Sequence, residues 1–219
     1  METNQSPMMR RFVIFSATLV WATLGLQLYL TTTQRLANGN TLIDGLVFYF
    51  SFFTILANIL VALALTLPLL RAGSRFTEFF SRPTVNTAIT ASIVMVGITY
   101  NLLLRHLWNP QGMQLVADEL LHVVMPLLFL LYWWLTVPKG LLRWADVLRW
   151  TPFPLLYAAY ALLRGALSGV YPYPFIDAGQ LGYSRVFVNT AGLLFAFIVI
   201  ALLLIAAGRL RNPAPASSA

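Results

Sequence analysis

His122 is one of only two histidines in this chain, and the residues spaced around it decide what chemistry it could do. A neutral imidazole can act as a general base near neutral pH. On a helix, His122 shares a face with Glu119, three residues before it, and Pro126, four residues after it. Glu119-x-x-His122, with His106 or Asp118 as a third ligand, would also permit a metal reading. The paired Glu-x-x-His arrangement of di-iron bundles is absent, so the spacing favours acid–base work and no metal or other cofactor is expected. Zero cysteines exclude disulfides, thiolate catalysis and cysteine-ligated metals. The chain carries no nucleophile elbow, phosphate loop or zincin motif.

The elements that must position these residues are membrane spans. The 219 residues are 59% hydrophobic and 10% charged, with a mean hydropathy of +0.76, outside the range of soluble domains. Their uncharged apolar runs approach the ~20 residues that cross a hydrocarbon core. The predicted fold is all-α, a single polytopic bundle of six transmembrane helices over 12–32, 45–70, 85–104, 119–137, 151–168 and 186–208. The first run follows Met9-Arg10-Arg11 without a short apolar core and small-residue exit, so it reads as a retained span. The fifth is the shortest apolar run before a charge, Arg164, and starts with Pro152 and Pro154.

Basic residues orient the bundle. With N- and C-termini cytoplasmic, the inner segments hold Arg10, Arg11, Arg71, Arg75, Arg82, Lys139, Arg143, Arg149, Arg209 and Arg211, and the outer ones only Arg35, Arg105, Arg164 and Arg185. If the fifth segment failed to cross, Arg209 and Arg211 would lie outside, so six spans are expected rather than five. With Glu2, Glu78 and Asp146 inside and Asp44, Asp118, Glu119 and Asp177 outside, the whole net charge of +7 falls on the inner face. That charge serves insertion and contact with anionic lipid, and nucleic acid is not an expected partner. Thirteen arginines against one lysine, with many alanines and leucines, suit a bacterium with a GC-rich genome, and the expected location is then the bacterial cytoplasmic membrane.

On this map the polar groups collect in the outer half. Thr54 and Asn58 come from the second span, Tyr100, Asn101 and Arg105 from the third, Glu119 and His122 from the fourth, and Tyr160, Arg164, Arg185 and Asn189 from the fifth and sixth. The inner half offers little beyond Thr66 and Thr136. Polar groups are costly at that depth and commonly mark sites. The structural alternative is interhelical hydrogen bonding by Asn, Thr and Tyr, snorkelling arginines, and pairing of Arg105 or Arg164 with Asp118 or Glu119. Their clustering at one depth favours a pocket open toward the outer leaflet.

Three stretches resemble the androgen-induced-gene membrane protein family, which includes the androgen-dependent tissue factor pathway inhibitor regulating protein, and its bacterial six-helix relatives. They are Phe48-Tyr-Phe-Ser-Phe-Phe-Thr54-Ile-Leu-Ala-Asn58, Leu120-Leu-His122-Val-Val-Met-Pro126-Leu-Leu-Phe, and Val170-Tyr-Pro-Tyr-Pro-Phe-Ile-Asp177. The resemblance implies an intramembrane hydrolase of fatty acid esters of hydroxy fatty acids, with Thr54 as nucleophile and His122 as its base. The segment ending in Asp177 would build the outer rim. Asn58, Asn101 or Arg105 would hold the developing oxyanion, with Tyr100, Glu119, Tyr160, Arg164 and Asn189 around the substrate. The expected partner is a membrane lipid or lipid-like molecule. The competing reading is a non-catalytic membrane protein that binds or transports a lipid or small molecule with the same polar cluster. If the second span runs unbroken from Gly45, Thr54 lies ~14 Å along it and His122 only ~5 Å past Glu119. The pair then meets only if the long second helix tilts or protrudes.

Overall fold

The computed structural model describes residues 6–70 and 73–211, the side chain of 211 excepted. Glu2, Arg71 and the tail 212–219 lie outside the described residues. The described chain is helical and holds no strand. The helices are α1 (Pro7–Ala37), α2 (Leu42–Tyr49), α3 (Phe53–Thr66), α4 (Arg75–Ser81), α5 (Pro83–Thr99), α6 (Met113–Glu119), α7 (Met125–Thr136), α8 (Asp146–Trp150), α9 (Pro152–Ser168), α10 (Ala178–Leu181) and α11 (Tyr183–Arg211).

Four continuous helical stretches are long and apolar enough to cross a membrane: Pro7–Ala37, Pro83–Leu107, Met113–Thr136 and Tyr183–Leu210. The predicted second span is not one helix. α2 and the α3 stretch to Leu69 meet at a bend of 75°, with Ser51 and Phe52 unwound between them. Backbone freed from helix at membrane depth must find partners inside the protein. Ser51 is fully buried, and its carbonyl accepts the Tyr157 hydroxyl at 3.0 Å. Its own hydroxyl bonds back to the Val47 carbonyl, while Tyr49, just before the break, donates to the Leu24 carbonyl at 2.9 Å. The Tyr157 bond gives the freed Ser51 carbonyl its partner, and the two hydroxyls tie the break to α2 and α1.

Two further departures lie at the same end of the bundle. Tyr100–Leu104, continuing α5, and Leu120–Val124, joining α6 to α7, are π-helical turns, a wide-turn geometry that recurs at functional sites. Pro126 explains the second. It has no N–H to offer the His122 carbonyl one turn before it, and its ring would crowd that oxygen, so the backbone opens there. Gly97 of α5 packs against this point: a Cβ on it would stand 3.2 Å from Pro126 Cβ and 3.3 Å from the His122 carbonyl oxygen.

α5 is the hub, packing against α3, α7 and α11. One core gathers α1, α3, α5 and α7 around Val20, Val61, Ile93 and Phe129. A second joins α5, α7, α8 and α11 around Trp133, Phe197 and Ile205. Leu127, Leu156, Val188, Phe195 and Leu203 point outward from their helices, as lipid-facing side chains do. At the Pro83 end of α5, Asn86, Thr87, Thr90 and Ser92 are buried, a polar group the sequence reading overlooked. Each bonds to the carbonyl a turn before it, and Thr87 also accepts the Trp133 indole N–H at 2.8 Å. Thr87 thereby links α5 to α7, and Asn86, donating to the Phe80 carbonyl at 2.6 Å, links it to α4.

Candidate functional site

The break in the second span puts Thr54 in the first turn of α3, beside His122, instead of deep along a helix. Thr54 Oγ1 stands 3.3 Å from His122 Nε2. The opposite ring nitrogen, Nδ1, lies 2.9 Å from the Asp118 carbonyl oxygen and 3.3 Å from Asp118 Oδ1. A backbone carbonyl can only accept, so Nδ1 carries the proton and Nε2 turns its lone pair to the Thr54 hydroxyl. Thr54 has no helical carbonyl four residues before it to which its hydroxyl could bond, since the chain is unwound there.

Asp118 is 2% exposed and is held from its other side by the Tyr100 hydroxyl, which donates to Oδ2. The Tyr100 ring stacks on the His122 ring, with centroids 3.9 Å apart and planes inclined by 17°. The two π-helical turns thus deliver the two stacked rings, and the imidazole is fixed in both position and tilt. Asn58 is fully buried and donates to the Thr54 carbonyl at 2.8 Å and to the Leu121 carbonyl at 3.4 Å, tying α3 to the His122 turn.

Tyr173, from the Val170–Asp177 segment, approaches Thr54 from the other side, its hydroxyl accepting the Thr54 N–H at 3.4 Å. Desolvation holds that hydroxyl above its ordinary pKa, against the lowering effect of the Thr54 hydroxyl and N–H, the Tyr157 hydroxyl and the Phe53 N–H. It therefore stays a neutral donor. Its ring packs edge-on to Phe52 and stacks on Phe175. The segment is pinned by Asn189, which donates to the Phe175 carbonyl at 2.8 Å.

Two cavities meet at Thr54. The larger, about 430 Å³, is lined by Thr54, His122, Asp118 and Tyr100 together with Gln27, Gln114, Phe48, Trp108 and Tyr173. The smaller, about 100 Å³, runs between α5, α9 and α11 and is walled mainly by apolar side chains, among them Val96, Leu155, Ile176, Leu193 and Phe197. Thr54, Tyr100, Leu104 and Tyr173 line both.

Several residues expected at the substrate sit elsewhere. Arg105 forms a bidentate pair with Glu119, at 2.6 and 2.9 Å, and also bonds Asn101 Oδ1 at 2.8 Å. Asn101 and Arg105 are exposed and Glu119 half-buried, and none of the three lines either cavity, so the oxyanion role expected of Asn101 or Arg105 has no geometric support. The same holds for Asn58, whose amide hydrogens are committed to backbone. Asp177 caps α10, accepting the Gly179 and Gln180 N–H groups. Arg164 donates to the Val170 carbonyl at 2.8 Å. Tyr160 is 39% exposed, beside Tyr157. Of that set Tyr100 alone lines the cavities. His106 is exposed in a single 3-10 turn, and among the described residues no group of three or more His, Asp and Glu comes together as a metal site. Asp118 and Tyr173 were not singled out as site residues from sequence.

No protein-family model, curated protein or solved structure matches the chain.

Proposed function

We propose that this protein is a multi-pass membrane hydrolase of lipid esters in which Thr54 is the nucleophile and His122 its base. The observation that carries the reading is the 3.3 Å approach of Thr54 Oγ1 to an imidazole whose other nitrogen is held by Asp118, at the junction of two largely apolar cavities. In the first step His122 Nε2 takes the Thr54 proton as Oγ1 attacks the ester carbonyl carbon. The developing oxyanion is met by the Tyr173 hydroxyl at the N-terminus of α3, whose dipole favours negative charge. Collapse expels the alkoxide, which takes the proton from the imidazolium, and leaves acyl-Thr54. Water, deprotonated by His122, then attacks that ester to release the acid and restore the threonine.

In this reading the bundle crosses the membrane six times with both ends cytoplasmic. The bent α2–α3 pair makes one crossing and α9 another, its 17 residues reaching ~26 Å at helical rise. The site then faces the outer leaflet, where an ester substrate arrives laterally from the lipid. The resemblance to the androgen-induced-gene family supports the same assignment of Thr54 and His122.

Binding without turnover would use the same cavities, and one experiment separates the two. Purified protein treated with a fluorophosphonate probe is expected to be labelled covalently, and Thr54→Ala to abolish the labelling while retaining the native unfolding temperature. Wild type that takes no label and hydrolyses no ester, or labelling that persists in Thr54→Ala, removes the catalytic reading.

A further inference from the structure

The four arginines and four acids at this end of the bundle match in number but not in pairing. Four acids lie at this end of the bundle, and all four are engaged. Asp44 accepts the Thr41 N–H and hydroxyl, Asp118 holds His122 and Tyr100, Glu119 holds Arg105, and Asp177 caps α10. Arg35, Arg164 and the exposed Arg185 are left without an ion pair among the described residues. Arg35 and Arg164 lie against one ring, that of Phe48, with guanidinium carbons 5.0 and 5.9 Å from its centroid; Phe48 lines the larger cavity, and the two arginines touch its wall through that ring without lining it themselves.

Their remaining contacts are neutral and use only part of each guanidinium. Arg35 donates to Asn40 Oδ1 at 2.9 Å, and Arg164 to the Val170 carbonyl at 2.8 Å. The Nε of each is buried and has no partner. A guanidinium is a planar fork suited to two parallel bonds with an oxyanion. Two of them around one ring, each with a buried and unpartnered Nε, offer donors suited to an oxyanion.

We propose that Arg35 and Arg164 bind the anionic head group, carboxylate or phosphate, of the amphiphile that occupies the larger cavity. The assignment rests on the lipid-ester reading only for what the anion is attached to; the site itself follows from the two arginines. An amphiphile so anchored is fixed at its charged end, and its chain is directed past Phe48 toward Thr54. Orientation from a remote anchor is what lets one ester among many present its carbonyl to the nucleophile.

Binding of three ten-carbon probes to purified, detergent-solubilised protein tests this without any turnover: decanoate, decyl phosphate and uncharged decanol, followed by titration calorimetry. Wild type is expected to bind at least one anion about tenfold or more tighter than decanol, and the better of the two identifies the head group. Arg35→Gln and Arg164→Gln are each expected to weaken that anion about tenfold and to leave decanol unchanged. Arg164→Lys should recover part of the loss, and decanol binding reports whether each variant is folded. Equal binding of decanol and both anions by wild type, no binding of any probe, or an anion preference that survives the double Gln variant would overturn the assignment. A protein that binds anions in this way yet takes no fluorophosphonate label would keep the anion site and lose the hydrolase.

Discussion

Asp118→Asn separates two roles that a carboxylate beside a catalytic histidine can play. Where the carboxylate alone sets the imidazole tautomer, removing its charge costs ~10⁴ in turnover, because the wrong nitrogen then carries the proton. Here Nδ1 also lies 2.9 Å from the Asp118 backbone carbonyl, which the substitution leaves in place. The tautomer is therefore expected to survive, and what is lost is the attraction between Oδ1, 3.3 Å away, and the imidazolium formed during the reaction. Hydrogen bonds to charged partners contribute roughly 1.5–3 kcal/mol, and each ~1.4 kcal/mol of barrier is a factor of ten. The expected fall in kcat is thus on the order of 10- to 100-fold, with KM unchanged, read from initial rates on 4-nitrophenyl decanoate in detergent micelles. Tryptophan-fluorescence unfolding of the same preparation controls for folding. A fall near ~10⁴ would mean that the carboxylate, not the backbone, sets the tautomer. A fall of less than about threefold, under ~0.7 kcal/mol, would mean that Asp118 is only a structural partner of Tyr100.

Two other substitutions and a set of single cysteines test the same structure. Tyr173→Phe removes the proposed oxyanion donor and is expected to lower kcat about 10²-fold, the usual effect of losing one such donor. KM and fluorophosphonate labelling of Thr54 should persist; an unchanged kcat sends the oxyanion elsewhere. Gly97→Ala would place a methyl 3.2 Å from Pro126 Cβ and 3.3 Å from the His122 carbonyl. It should cost about 1–3 kcal/mol in unfolding free energy and depress activity by displacing the His122 turn, and wild-type stability in this variant would refute the close approach of α5 and α7. Because the chain has no cysteine, single cysteines report topology cleanly. Gln111→Cys and Gly169→Cys should react with an impermeant maleimide on intact cells, and Ser74→Cys and Trp144→Cys only after permeabilisation; the reverse pattern inverts the six-span orientation.

The helices and the break between them differ in how far sequence could show them. Long uncharged runs such as Val186–Gly208 declare a helix because nothing in them competes with it, and α11 extends only a few residues beyond those bounds. The aromatic run from Phe48 to Phe53 declares the same thing, yet the helix stops there. The freed Ser51 carbonyl is taken up by a tyrosine on α9, 106 residues away, and the Tyr49 hydroxyl is anchored to a carbonyl on α1, 25 residues away. No local pattern carries that information. The consequence for Thr54 is large: the depth estimate that kept it apart from His122 assumed an unbroken helix, and the break returns it to a helix N-terminus.

Asp118 is a different omission, because helical geometry alone favoured it. At ~100° per residue, position 118 lies ~40° from position 122 around an α-helix, and position 119 lies ~60° away on the other side. Glu119 drew attention through the metal-like Glu-x-x-His spacing, while Asp118 was counted only as an acid available for pairing or ligation. In the structure the two divide according to reach. Asp118, short and buried, turns in to the imidazole, and Glu119, longer and at the surface, turns out to Arg105. Tyr100 reinforces the choice, since its hydroxyl needs an acceptor in the buried wall and Asp118 is the acceptor there. Exchanging the two acids, Asp118→Glu with Glu119→Asp, would keep the charge and the motif but put the longer side chain in the tighter place. That variant is expected to lose activity like Asp118→Asn, and full activity in it would show that either acid can hold His122.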